Sequence, residues 1–223
     1  TELDTRYVTV VRNLLERNGR AGVEVELSLN VEVLGNVALG NGEAGIWVIE
    51  SRGVEVFHNA SIGNQNAIEV EEGPRREVAN VAVFNNILGS GADGSRALLD
   101  VNDWTEERGA LEMGVTAGSN AYWLPPDSGT SNVSRWGRWP QQLGFSQTLD
   151  EHHAISGQGA DSLVSTSVTN PYALDPEGYD FRGTPSLGAG IAIMSGAADA
   201  LDIERGTQLR IGPTEPVQRR ATE

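Results

Sequence analysis

The chain has 223 residues and a net charge of −15, from 31 Asp and Glu against 16 Lys and Arg, and it has no cysteine. A sizeable core is possible at this length, whereas the acidity repels a phosphate backbone or an anionic membrane surface, so no nucleic acid and no membrane is expected as a partner. Disulfides, thiolate sites and Cys nucleophiles are excluded, and so is lysine chemistry, because all 16 basic residues are arginines.

Glycine, at 27 residues, exceeds its usual share of about 7%, which argues for many tight turns and against a helical bundle. No apolar run reaches the roughly 18 residues of a membrane span. The chain starts Thr-Glu-Leu-Asp and reads as a mature product or a piece cut from a longer one.

From the N-terminus, segments 8–30 and 31–53 align without a gap over 23 residues. A third unit starts at Val54 and carries the insertion EEGPRRE, and a fourth restarts at Val81. Repeats of this period belong to stacked units. Within each unit Val8/Val10, Val31/Val33, Val54/Val56 and Val81/Val83 alternate at period two, and so do Val23/Val25, Ile46/Val48, Ile68/Val70 and Leu99/Val101. Alternation at period two is the strand signal. The expected fold is therefore all-β, a right-handed parallel β-helix of about 23-residue coils. Asn13, Asn36, Asn59 and Asn86 recur at one place in four coils, as an inward amide ladder that satisfies buried turn backbone. Asn18, Asn41 and Asn64 form a second column, expected to be more exposed.

After Asp103 the repeat fades. The stretch 104–150 is rich in Trp, Pro, Gly and Ser and is expected to be loops with sparse strands, followed by a short helix over roughly 146–155. The organisation expected is coils over 1–103, C-terminal coils and capping loops of the same domain over 104–193, and a tail over 194–223 that contains Ala-Ala-Asp-Ala-Leu and ends in a mobile Pro/Arg/Glu-rich segment.

The 8–103 segment resembles the right-handed parallel β-helix proteins of the pectate-lyase-like superfamily. The pieces Ser119-Asn-Ala-Tyr-Trp123, Gly157-Gln-Gly-Ala-Asp-Ser-Leu163, Asn170-Pro171, Tyr179-Asp-Phe-Arg182 and Ser186 are similar to the C-terminal region of secreted bacterial members. Relatives carry Asp-Pro and Ser-Pro-Ala where this chain has Asn170-Pro171 and Ser186-Leu-Gly. The resemblance implies a secreted or extracellular protein that acts on polysaccharides, although the superfamily also holds non-catalytic fibres.

Outward residues of the second strand run are Glu24 and Glu26, then Trp47 and Ile49, then Glu69 and Glu71, then Asp100 and Asn102. This is an acidic column with a tryptophan in it. Carboxylates at such spacing suit acid–base cleavage of glycosides, and Glu69 with Asp100 is the favoured pair, backed by Glu71 and Asp103. Trp47 would stack on a sugar ring, with Glu24 and Arg52 as further substrate contacts. Arg52 has an alternative role in a salt bridge to Glu50 or Glu72. Trp136 and Trp139, with Arg135 and Arg138, make a sugar platform if exposed and a cap over the end of the solenoid if buried. His152 and His153 are expected as surface or packing residues. Asp100 and Asp103 are also candidate oxygen ligands for calcium, and otherwise no cofactor is expected.

Two functions follow. One is an extracellular protein that cleaves, as a hydrolase or lyase, or binds a polysaccharide along the acidic face. The other is a structural or filament-forming solenoid without catalysis, in which the uncapped first coil meets a second copy or an N-terminal part missing from this chain.

Overall fold

The computed structural model describes residues 5–105, 107–137, 144–175, 180–183, 187, 190–192 and 197–215. Its first coil consists of β1 (Thr5–Val11), β2 (Leu14–Glu16) and β3 (Val23–Glu26), and its second of β4 (Ser28–Leu34), β5 (Val37–Leu39) and β6 (Ala44–Ile49). The third is β7 (Arg52–Phe57), β8 (Ala60–Ile62) and β9 (Asn66–Glu72), and the fourth β10 (Ala79–Phe84), β11 (Ile87–Gly89) and β12 (Leu99–Asp103). A fifth coil, which the fading repeat conceals, is β13 (Val115–Gly118), β14 (Ala121–Trp123) and β15 (Ser134–Trp136). Corresponding strands stack in parallel into three sheets, here called A (β1-β4-β7-β10-β13), B and C. The fold is a parallel β-helix.

Register follows the valine columns. Val8 pairs with Val31, Val31 with Val54 and Val54 with Val81, so one β-branched column lines the interior coil after coil. Val33, Ile46, Val48, Val54, Ile68, Val70, Val81 and Val83 are all fully buried. A slip of one residue would turn this column out to water.

The corners repeat as well. Arg12, Gly35, His58, Asn85 and Ser119 hold one corner, each with positive φ. Four of these are not glycine, so the left-handed bend costs backbone energy at each. The next residue in every coil is a ladder asparagine that offsets it. Nδ2 of Asn13, Asn36, Asn59 and Asn86 donates to Oδ1 of Asn36, Asn59, Asn86 and Asn120 at 3.0–3.1 Å. The ladder thus runs one residue further than the repeat suggests, to Asn120. The second column is buried rather than more exposed: Asn41 and Asn64 are 2% and 1% accessible, and Asn18 and Asn41 donate along it at 2.8 Å. The next coil packs over this corner, and only Asn18 in the first coil faces solvent.

Beyond the fifth coil the chain closes the end. Strand β16 (Phe145–Ser146) runs antiparallel to β15. Helix α1 (Leu149–Ser156) starts at a capping box between Thr148 and Glu151 and stops at Gly157, whose φ is 71°. Thr-x-x-Glu is the signature of such a start. Strand β17 (Leu163–Ser165) extends sheet B, and β18 (Ala173–Asp175) pairs antiparallel with β19 (Asp180–Gly183). Short helix α2 (Ala197–Ala200) completes the order. The described part of the tail is docked: Ala197, Ala198 and Leu201 pack on Leu34 and Phe57, and Gly212 O meets His58 Nδ1 at 3.0 Å.

Among the described residues nothing covers the opposite end. Strands β1, β2 and β3 are the terminal strands of their sheets, Tyr7 is 81% exposed, and Asn13 and Asn18 face solvent. A shallow depression over Val8, Val10, Val23, Val25 and Val31 lies at this end.

Candidate functional site

The outer face of sheet C carries the acidic column. Its register sets Glu24 beside Trp47, Trp47 beside Glu69, Glu69 beside Asp100 and Asp100 beside Arg135. Adjacent strands lie about 4.8 Å apart, so residues separated by 22 to 35 positions become side-by-side neighbours. The expected juxtaposition of Glu69 and Asp100 is therefore present.

Their accessibility differs from the expectation. Asp100 is fully buried, and Arg135 Nε donates to its Oδ1 at 2.6 Å. Burial raises the Asp100 carboxyl above its ordinary value, against the pull of Arg135. Closed under its neighbours, Asp100 reaches no substrate, which removes it from the catalytic pair. Arg135 is 4% exposed and is committed to this pair rather than to a uronate or sulfate. Asp103 also differs. Alternation puts it on the side of the strand opposite to Asp100, where it is 1% exposed. Its carboxylate accepts from the backbone N–H of Thr105 and Arg108, at 2.8 Å each, and from the Thr105 hydroxyl. It caps a turn and backs no catalytic pair. Asp100 and Asp103 are not brought together as calcium ligands, and no cluster of three or more His, Cys, Asp or Glu able to hold a metal occurs among the described residues.

The reachable part of the column is a cleft of about 270 Å³ lined by Glu43, Trp47, Gln65, Asn66, Glu69, Glu71, Arg96 and Trp104. Trp47 comes from β6 and Glu69 and Glu71 from β9. Trp104 follows β12, is 48% exposed, and completes the lining. The Arg20 guanidinium lies over the Trp47 ring at 5.2 Å, and that of Arg96 over Trp104 at 5.4 Å. Such cation–π contacts hold the indoles upright. Trp47 Nε1 is buried and has no hydrogen-bond partner among the described residues.

The carboxylates are unequal. Glu43 pairs with Arg20 at 3.1 Å. Glu69, 7% exposed, accepts from Asn66 Nδ2 at 2.8 Å and has Arg96 at 3.9 Å. Glu71 is only part-buried and has no cation at ion-pair distance among the described residues. Burial first, then the charges of Glu69 and Asp100, push its carboxyl up to about 7, while the indole N–H of Trp104 and, more weakly, that of Trp47 pull the other way. Glu71 is thus the cleft carboxylate without an arginine of its own among the described residues.

The remaining candidates separate. Glu24 sits at the head of the column, paired with Arg20 at 3.4 Å, outside the cleft. Arg52 opens β7 in sheet A and does not end a sheet C strand. It pairs with Glu77 at 3.1 Å, not with Glu50 or Glu72, because the 73–77 insertion folds back over it. A larger depression of about 710 Å³ lies there, sharing Trp104 as a wall. Glu50 and Glu72 are taken by Arg75 and Arg108.

Trp136 is 1% exposed and stacks edge-on against His152, with centroids 5.6 Å apart. It closes the core beneath α1 and forms no sugar platform. Trp139 and Arg138 lie outside the described residues. His152 is buried, and Ser134 Oγ lies 2.7 Å from its Nδ1, but neither side chain reaches solvent. Sequence reasoning missed Arg96, Asn66 and Glu43 as parts of the site. Glu43 and Arg96 sit in turns whose path the repeat does not define, and Asn66 opens β9 just after such a turn.

Residues 2–101 match a family model described as right handed beta helix region. With the parallel sheets, this makes the chain a right-handed parallel β-helix. No curated protein and no solved structure matches it.

Proposed function

We propose that this right-handed parallel β-helix is a carbohydrate-active, extracellular protein that binds a polysaccharide across sheet C, with one sugar seated between Trp47 and Trp104 above Glu71. The observation that carries the reading is the cleft itself: the indoles of Trp47 and Trp104 line it together with Glu71, a carboxylate that has no cation at ion-pair distance among the described residues. Indole faces bury the apolar face of a sugar ring, and a few polar groups set its orientation. Titration calorimetry with neutral, uronic and amino oligosaccharides tests this. Trp47→Ala and Trp104→Ala should each weaken binding by roughly tenfold or more. Wild-type silence across the panel, or unchanged affinity in both variants, overturns the proposal.

A second reading, hydrolysis, is favoured by one observation. Glu71 keeps a proton near neutrality and shares a strand face with Glu69, the arrangement in which one carboxyl donates a proton and the other acts as carboxylate. New reducing ends, lost in Glu71→Gln and in Glu69→Gln, would establish it. A lyase is less well supported, because it needs a cation for the uronate, and Arg52 is engaged by Glu77 on another sheet.

A further inference from the structure

We infer that the cleft selects a cationic sugar, a 2-amino-2-deoxy hexose with a free ammonium group, over N-acetylated, neutral and uronic sugars. The inference rests on the glycan-binding reading above and adds the substrate class to it.

The argument is one of charge balance. Each carboxylate bordering the cleft other than Glu71 has a cation from the chain. Arg20 Nε lies 3.1 Å from Glu43, and Arg96 lies 3.9 Å from Glu69. Beside the cleft, Asp100 is closed off with Arg135 at 2.6 Å. Glu71 is left without a cation at ion-pair distance among the described residues, with Glu69 two residues away on the same strand face. A bound cation favours the ionised form of Glu71 and so draws off its proton, which turns the cleft negative where an ammonium would sit, in a chain that carries −15 overall.

A uronate would set its carboxylate against Glu69 and Glu71 and lose both its hydration and the like-charge contest. An N-acetyl group would bring a neutral amide to a position where a charge is unmet. A primary ammonium supplies what is missing: three donors and one positive charge, against a part-buried carboxylate where a charge-assisted hydrogen bond is stronger than in water. The two indoles reinforce the choice, because their faces attract cations, as the Arg20 and Arg96 guanidiniums already show at 5.2 Å and 5.4 Å.

The test is calorimetry on the full chain near neutral pH and about 0.15 M salt, with three probes: a hexamer of β-1,4-linked glucosamine, its fully N-acetylated counterpart, and a hexamer of galacturonic acid. The glucosamine hexamer is expected to bind about tenfold or more tighter than the N-acetylated one, and the uronic hexamer not to bind. Because a chain this acidic attracts any polycation, two charge-matched variants are compared. Glu71→Gln should level the glucosamine and N-acetyl affinities. Glu32→Gln, which removes one charge from sheet A, should leave the ratio unchanged. Far-ultraviolet circular dichroism confirms that both are folded. Equal losses in the two variants would mean diffuse attraction and overturn the inference. It is also overturned if the N-acetylated or uronic hexamer binds as tightly as glucosamine, an outcome that leaves the glycan-binding reading standing. Silence towards all three, and towards neutral glucans, takes both down.

Discussion

Asn59 is the point at which the architecture is easiest to break with one atom group. It is fully buried. Its Oδ1 accepts from the backbone N–H of Asn36 at 2.9 Å and from Asn36 Nδ2 at 3.1 Å. Its Nδ2 donates to Val33 O at 2.8 Å and to Asn86 Oδ1 at 3.0 Å. Asn59→Ala therefore cuts four hydrogen bonds, but they do not count equally. Asn36 Nδ2 keeps Val10 O, and Asn86 Oδ1 keeps the Asn59 backbone N–H at 2.9 Å. The groups left without this partner are the Asn36 N–H and one site on Val33 O. At about 1–3 kcal/mol for each buried orphan, the loss is about 2–5 kcal/mol. For a chain of this size that lowers the melting temperature by roughly 2–4 °C per kcal/mol. Asn13→Ala is the matched control. Asn13 is exposed, its amide donates to Val11 O and Asn36 Oδ1, both at 3.0 Å, and water can replace it, so the cost should stay below about 1 kcal/mol. Urea unfolding followed by circular dichroism measures both. Equal midpoints for the two variants would refute the ladder as a source of stability.

Asp100→Asn leaves Arg135 as a buried cation without its counter-charge and should cost about 3–5 kcal/mol; a variant as stable as wild type in urea would show that the pair is not a structural lock. Glu71, whose folded carboxyl is held at about 7 against an ordinary 4.5, binds its proton more tightly in the folded chain, so stability falls as pH rises between these values. Glu71→Gln should thus be more stable than wild type above pH 7 and lose that advantage below about pH 4.5, as read from urea midpoints across pH; solvent screening of this part-exposed group reduces the size and not the sign. Burial lowers His58 to about 4 from 6.5, which is the opposite case: stability is lost as pH falls between these values, and His58→Gln should lessen that loss. The open edges of β1, β2 and β3 are expected to drive concentration-dependent self-association in sedimentation velocity, weakened by Val8→Asp, and a monomer at every concentration would dismiss it.

The legibility of the sequence follows the physics of each part. The interior columns were readable because a solenoid interior admits one residue class at one spacing, and Val31, Val54 and Val81 repeat it without exception. The ladder was readable because only an amide can donate and accept along the stack, and its extension to Asn120 was hidden by a 34-residue gap after Asn86, where the third side of the coil wanders. The outward face was right in register and wrong in accessibility. Alternation says that Asp100 points away from the core, but not that Arg135, 35 residues later, will close over it. Trp136 shows the same limit: whether it lies on the surface or beneath α1 is a property of the chain that follows it.

The same reasoning explains why the cleft sits where it does. Stacking alone would make sheet C a flat ladder, because every coil repeats the same path. Trp47 replaces the glutamate that its coil neighbours Glu24 and Glu69 present at that position, and so raises one wall. The second indole cannot come from the ladder, whose next members, Asp100 and Arg135, neutralise each other below the surface. It comes from Trp104, where the chain leaves β12 and the first irregular loop begins. Arg96, from the loop before the same strand, braces that indole. A β-helix acquires a concave site where its repeat is broken once within the stack and once at its edge. Glu71 lies between the two breaks, as the carboxylate on this face that the repeat supplies and no arginine of the described chain neutralises.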